Sequence, residues 1–544
     1  MSPSLIIAPV VLPLLVAALQ LLAGERRRRT VVALSLASCL VLVALATLLL
    51  LAAAQQGADG ALTAVYRIGD WPARVGIVLV ADRLSALMLL LTAVVALATL
   101  PAALGRWQHR GSYFQPLFQF LLMGLNGAFL TGDLFNLFVF FEVLLAASYG
   151  LALHGSGARR VSAGLHYIAV NLTASMLFLL GVSLIFGVTG TLNMAALAEL
   201  IPTVPERTRA LLHAGAALLG VAFLIKTAMW PLGFWLPRTY SAAAPAVAAM
   251  FALMTKVGIY VLLRLSLLLF GDGADPASSH FGGDWLLWGG VVTIIAGTIG
   301  MLGARDLGKL AGYNVVISSG TLLGAIGLQQ PAVTTGALAY LVISTLGIAA
   351  FFLVAGLLVP EHDEETNDAL PLEPYELVAG ESRGGELFAA EDESRVVIPA
   401  PVAMLGVSFF ACAVLLAGLP PLSGFLAKFA LLAPMLDAVP RPGALVLFTL
   451  IIVAGFCTVI AMCRAGIQIF WAEPERRFPH ARVTEISAIV LLLSLCLLLT
   501  VLVKTPLRYL GDTARQLHAP ANYIQEVLPP ALRTVLPPAP ELQP

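Results

Sequence analysis

Residues 132–150 read GDLFNLFVFFEVLLAASYG, an apolar run with one carboxylate, Glu142, near its centre. A run of this kind makes a membrane-spanning helix, which needs about 20 mostly apolar residues. A charge at mid-depth costs about 2.5–3.5 kcal/mol on insertion scales, so Glu142 needs a partner. Three lysines stand in equally apolar surroundings: Lys226, Lys256 and Lys428. Lys226 and Lys256 are expected on neighbouring helices, able to pair with Glu142 or to pass a proton between them. Two readings stay open, a structural ion pair and a proton-carrying carboxylate. Burial weakens the hold of a lysine on its proton and a nearby carboxylate strengthens it, so a lysine between these influences can exchange protons. Arginine hardly deprotonates. Lysine at all three places favours a proton path.

The rest of the composition agrees. The chain has 544 residues, 59% hydrophobic and 11% charged, with a mean hydropathy of +0.92. Soluble domains carry about 25% charged residues. The expected fold is an all-α polytopic membrane protein. Lysine plus arginine equals aspartate plus glutamate, 31 each, so no basic surface points to nucleic acid. Cys39, Cys412, Cys457, Cys463 and Cys496 are scattered through apolar runs without a CxxC pair, which reads as core packing. No GxGxxG or P-loop pattern occurs, so no cofactor, nucleotide or metal is expected. The first span lacks a basic leader and a small-residue cleavage site, and is expected to be retained.

Spanning runs number about fourteen, near 3–23, 31–54, 79–104, 114–131, 133–153, 162–188, 210–236, 241–270, 285–303, 310–328, 332–359, 398–436, 444–472 and 484–503. Basic residues of short loops mark the cytoplasmic side. Arg26 to Arg29, Arg106 and Arg110, Arg159 and Arg160, Arg305 and Lys309, and Arg476, Arg477 and Arg482 all follow odd-numbered spans. That parity puts both termini outside the cytoplasm. Arg67, Arg74, Arg207, Arg209, Arg441, Lys504 and Arg508 are exceptions on the outer side.

Two spans are interrupted. LIKTAMWPLGFWLPRTYSAAAP (224–245) holds Pro231, Gly233, Pro237 and Pro245, and GLPPLSGFLAKF (418–429) holds Pro420, Pro421 and Gly424. Proline removes a backbone donor and clashes with the preceding turn. Irregular backbone in lipid is tolerated only where it lines a cavity or is buried in protein. Breaks at corresponding places in two halves point to an ion pathway between inverted repeats. Lys226 lies five residues before Pro231 and Lys428 seven after Pro421. Asp82 and Asp133 lie at helix ends and read as caps. Asn136 and Asn171 are weaker candidates. His166 is expected in a helix–helix hydrogen bond or a relay. Ser318 and Ser319 suit either a water chain or small-residue packing. The acidic loop 360–397 reads as a flexible cytoplasmic connection, and the tail from Tyr509 as interfacial or disordered.

These stretches, with LMTKVGIYVLLR (253–264), resemble the antiporter-like membrane subunits shared by respiratory complex I, membrane-bound hydrogenases and Mrp-type cation/proton antiporters. The resemblance covers about residues 1–510. The helix-five wording and GVTGTLNMAALAEL (187–200) are most similar to the D-type subunit of the Mrp (Pha) antiporters. It implies fourteen helices, with helices 1–3 in 1–113, two inverted five-helix repeats in 114–270 and 271–472, and helix fourteen with the tail in 473–544. It implies that Glu142, Lys226, Lys256 and Lys428 carry protons through ordered water, exchanged for Na⁺ or K⁺, in a cell-membrane complex with other subunits. Such a chain is a transporter component and not itself an enzyme. Two departures stand out. Gly233 occupies the place of a histidine after the first break, and Ser318 the place of a histidine in helix ten. The axis between Lys256 and Lys428 is then expected to depend more on water. The alternatives are a proton-pumping membrane component of a redox complex (NADH:quinone oxidoreductase or membrane hydrogenase) and a purely architectural scaffold.

Overall fold

The computed structural model describes residues 4–57, 60–61, 63–72, 76–107, 110–358, 400–437, 442–470 and 481–529. Three helices open the chain: α1 (Ser4–Ala23), α2 (Arg28–Ala54) and α3 (Arg83–Arg106). A first group follows: α4 (Phe114–Leu130), α5 (Leu134–Ala152), α6 (Ala158–Thr189), the short α7 (Met194–Leu200), α8 (Glu206–Lys226), the short α9 (Leu236–Ala242) and α10 (Pro245–Phe270). The second group is α11 (Gly283–Gly303), α12 (Leu307–Leu328), α13 (Pro331–Leu358), α14 (Ala400–Ala417), α15 (Ser423–Asp437) and α16 (Pro442–Phe470). The chain ends in α17 (Val483–Val501), α18 (Lys504–His518) and α19 (Ala521–Val527).

Among the described residues, 12 helices are each long and apolar enough to cross a membrane. The apolar α4 and the interrupted pair α14–α15 fill the two remaining expected spans. The interruption falls where the prolines require it: α8 stops at Lys226 and α9 begins at Leu236, while α14 stops at Ala417 and α15 begins at Ser423. Trp230–Pro231 and Pro420–Pro421 are cis peptides.

Burial is uneven. Every α10 residue from Ala246 to Phe270 is buried, and α12 and α13 are nearly so. A helix apolar on all sides belongs at the centre of a bundle. Accordingly α10 packs on α3 and α8 and also on α12 and α13, and so joins the two groups. Close helix approach relies on small residues. A Cβ at Gly290 of α11 would fall 2.4 Å from the Gly324 nitrogen of α12.

Three expectations change. The third span does not start as a helix: Val78–Ala81 is a strand paired antiparallel with Ala64–Arg67, and α3 begins only after Asp82. VLVA is a continuous apolar run that periodicity alone cannot assign. Asp82 then forms a capping box, its carboxylate accepting from the Ser85 amide at 2.8 Å while the Ser85 hydroxyl accepts from the Asp82 amide at 2.8 Å. The described part of the tail is helical, α18 and α19, and the buried face of α18 (Leu510, Thr513, Ala514, Leu517) belongs to a helix that packs on α13. His166 is exposed and bonds to the Ser162 carbonyl one turn back, 2.8 Å, and among the described residues it joins neither another helix nor the axis. The loop 360–397, with Arg74, Arg441, Arg476 and Arg477, lies outside the described residues.

Candidate proton-translocation site

Asp133 caps α5 by accepting from the Asn136 amide at 2.9 Å, as its place before the run suggested. The Asn136 side chain turns back to the Thr131 hydroxyl, 2.9 Å, and Asn171 to the Tyr167 carbonyl of its own helix, 2.9 Å. Both asparagines thus serve local backbone and side-chain geometry.

Two turns into α5 sits Glu142, half-buried. Its partner is not a lysine. Ser175 of α6 donates its hydroxyl to Glu142 Oε1 at 2.5 Å. No ion pair joins Glu142 to Lys226 or Lys256 among the described residues. The expected direct pairing is therefore corrected: a hydroxyl meets the carboxylate, leaving its charge uncompensated by direct contact. Ser175 gave no signal of its own, being one hydroxyl in an apolar helix.

Lys226 is the last residue of α8, against the first break. It is buried, and its Nζ has no hydrogen-bond partner among the described residues. It lies 5.0 Å above the ring of Phe141, the residue beside Glu142. A cation over an aromatic face gains about 0.5–2 kcal/mol, a weak hold compared with a buried salt bridge. The break itself is backbone against backbone. A Cβ at Gly233 would lie 2.2 Å from the Ala228 carbonyl oxygen, so no side chain, histidine included, fits here without reshaping the turn.

Lys256, in the middle of α10, is fully buried. Its ammonium donates to the Ser318 hydroxyl of α12 at 2.7 Å. Ser318 donates onward to Ser344 of α13 at 3.0 Å. Ser319, the other serine of the pair, is buried with its hydroxyl unpartnered among the described residues.

Lys428 lies in α15, past the second break. It donates to the carbonyls of Leu416 and Ala417, 3.2 and 2.8 Å, at the end of α14. A helix C-terminus carries unsatisfied carbonyls and partial negative charge, which suit a cation. The two halves are thus alike in having a break with a lysine, but not in its place: Lys226 ends the helix before the break, whereas Lys428 caps that helix from the segment after it. A Cβ at Gly424 would fall 1.9 Å from the Leu415 oxygen, which fixes the approach of α15 to α14.

A second set of buried charges was missed. Arg264 of α10 reaches Asp82 at 2.8 Å with both groups buried, and its Nε donates to the Tyr260 hydroxyl at 3.0 Å. Arg83 pairs with Asp512 of α18 at 3.0 Å. Arg264 stands in an apolar helix eight residues after Lys256, so the signal that singled out Glu142 was present for it too. Asp82 is therefore both a cap and half of a buried ion pair.

Fold and site together define a polytopic membrane protein with ionisable side chains held at and between two helix breaks. The family described as NADH:quinone oxidoreductase/Mrp antiporter, TM, matches residues 131–372. The D-type subunit of a probable K⁺/H⁺ antiporter of Rhizobium meliloti is 50% identical over 534 residues, 96% of this chain and 97% of that one. The D-type subunit of the Na⁺/H⁺ antiporter of Alkalihalophilus pseudofirmus is 34% identical over 471 residues, 85% and 88% of the two chains. A chain in the structure of the Mrp complex from Dietzia sp. DQ12-45-1b, 28% identical, superposes with a TM-score of 0.78 over 97% of this chain and 100% of that one. The chain belongs to the family of D-type subunits of Mrp antiporters.

Proposed function

We propose that this chain is the proton-carrying membrane subunit of a multisubunit monovalent cation/proton antiporter, working with other subunits in the cell membrane. Protons pass along Glu142, Lys226, Lys256 and Lys428, and the cation exchanged is K⁺ or Na⁺. The greater identity to the relative named for K⁺, 50% against 34%, favours K⁺. The two groups of helices, within 114–270 and 271–472, act as the inverted repeats, and the arginine pattern of the loops puts both termini outside the cytoplasm.

The observation that carries this reading is the absence of a salt-bridge partner for all three lysines among the described residues. One sits on an aromatic face, one on a hydroxyl and one on helix-end carbonyls. A lysine tied to a carboxylate would hold its proton, whereas these neutral or partial-charge partners leave it free to go.

The test uses everted vesicles carrying the whole complex. K⁺ or Na⁺ is expected to collapse an imposed pH gradient in the wild type, and Glu142→Gln to abolish the collapse with the complex still assembled on native gels. A Glu142→Gln complex that transports at the wild-type rate rules out the path. A wild type that ignores both cations while NADH builds a gradient makes this chain part of a redox pump instead.

A further inference from the structure

Between Lys256 and Lys428 lies a segment where the resemblance expected a histidine and the chain has Ser318. Hydrogen bonds run from Lys256 as far as Ser344, and a cavity covers the rest of the way. Lys256 donates to Ser318 at 2.7 Å, and Ser318 donates to Ser344 at 3.0 Å. Both serines are buried. Ser344 donates to the Leu341 carbonyl of its own helix at 3.3 Å, a long bond that its hydroxyl exchanges for one to water in the relay, and it lines a small cavity with Tyr340, Thr321, Asn314, Thr458 and Lys428. The space in it that a water centre can occupy is about 20 Å³. A water needs about 10–15 Å³ by that measure and two to four polar partners, so the cavity suits one water between Ser344 and Lys428.

We infer that Ser318 and Ser344 form a neutral hydroxyl relay which hands protons from Lys256 to a single water at Lys428, with no side chain on the segment storing a proton. The inference rests on the proton path proposed above. A serine hydroxyl has one donor and two acceptor sites, so it can accept on one side while donating on the other. In one passage an N–H bond of the Lys256 ammonium breaks and an O–H bond forms at Ser318. The original Ser318 proton moves to Ser344, and the original Ser344 proton moves to the water. The water gives one of its protons to the neutral Lys428 amine. Lys256 ends neutral and Lys428 charged, while both hydroxyls and the water keep their composition. Passage through two hydroxyls has to be concerted, because neither a protonated nor a deprotonated serine persists near neutral pH. A histidine in the same place would store the proton instead.

Ser344 separates a relay from an anchor. Ser318 touches Lys256, so its loss alone could simply disturb the lysine. Ser344 bonds Ser318 and not the Lys256 ammonium, and an anchor for Lys256 does not need it. In vesicles carrying the whole complex, Ser344→Ala is expected to slow cation-dependent collapse of a pH gradient about a hundredfold, within the range that proton-transfer groups contribute. Ser344→Thr, which keeps the hydroxyl, is expected to restore it to within a few-fold. Ser318→Ala is expected to match Ser344→Ala. Ser318→His is expected to transport with a new pH inflection that the wild type lacks, because an imidazole titrates where a hydroxyl does not.

Full activity in Ser344→Ala and Ser318→Ala, beside a dead Glu142→Gln, overturns the relay and leaves the path standing. Full activity in all three overturns both. A Ser344→Ala loss that threonine fails to restore also counts against the relay. Should Ser318→Ala fail to assemble, the Ser344 pair decides alone.

Discussion

The molecule buries charge in two contrasting ways. Where α3, α10 and the tail meet, the cations are arginines, and each holds a carboxylate: Arg264 with Asp82, Arg83 with Asp512. Along the axis from α8 through α10 to α15 the cations are lysines, and none holds one among the described residues. The first arrangement fixes charge. Guanidinium stays protonated and matches a carboxylate with two parallel donors. Arg264 further leans on Tyr260, whose hydroxyl donates to the Phe129 carbonyl of α4 at 2.7 Å. The second arrangement gives each lysine a partner that does not care strongly whether the proton is there. One helix, α10, carries both: Arg264 in the clamp and Lys256 in the axis, about two turns apart.

The largest effect is expected from exchanging the two residue types. Lys256→Arg keeps the positive charge and removes the ability to release a proton. It should cut cation-driven pH-gradient collapse by about 10²–10⁴-fold in an assembled complex. Arg264→Lys should leave transport within a few-fold of wild type and show its cost as a lower melting temperature. The contrast breaks if Lys256→Arg transports normally or if Arg264→Lys is assembled but inert.

Next in size is the clamp itself. Asp82→Asn keeps a good N-cap for α3 but leaves Arg264 buried without a counter-charge. Breaking a buried pair this way costs about 3–5 kcal/mol, read as loss of thermal stability of the detergent-solubilised complex. Unchanged melting would mean that Tyr260 and neighbouring groups already satisfy Arg264. Gly424→Ala is smaller. The added methyl meets the Leu415 carbonyl and must push α15 from α14, a strain of about 1–3 kcal/mol. Because Leu416 and Ala417 hold Lys428, transport should fall along with stability. A fall in stability alone would show that the carbonyl cradle tolerates displacement.

Much of this was legible in one sequence. Apolar run lengths placed the spans, the prolines placed both breaks, and isolated charges in apolar runs named Glu142 and the three lysines. Those signals are local, and a bilayer enforces each of them at its own position. What stayed hidden is pairing. Ser175 meets Glu142 across 33 positions and Asp82 meets Arg264 across 182, and nothing near either residue announces the other. Ser344 is one of many small hydroxyl residues in apolar helices, distinguished only by facing Ser318. The rule that a buried carboxylate needs a partner held, but it could not say that a neutral hydroxyl would serve.

The smallest effect tests whether every arginine–carboxylate pair belongs with the clamp. Arg159 meets Asp306 at 2.7 Å, the same spacing as the buried pairs within a few tenths, yet both side chains are about a third exposed or more, 41% and 33%. Exposed pairs contribute about 0–1 kcal/mol, since water and salt screen the attraction and two long side chains lose freedom. Asp306 also keeps its own task, accepting from the Gly308 amide at 2.7 Å to cap α12. Arg159→Ala should therefore leave both melting temperature and transport close to wild type, with any small difference vanishing in high salt. A large, salt-insensitive loss of stability would place Arg159 with Arg264, in a setting far drier than its exposure indicates. A loss of transport without loss of stability would instead tie the Arg159–Asp306 pair to the moving proton, and the division between fixed and mobile charge would then follow position along the chain of lysines and not residue type.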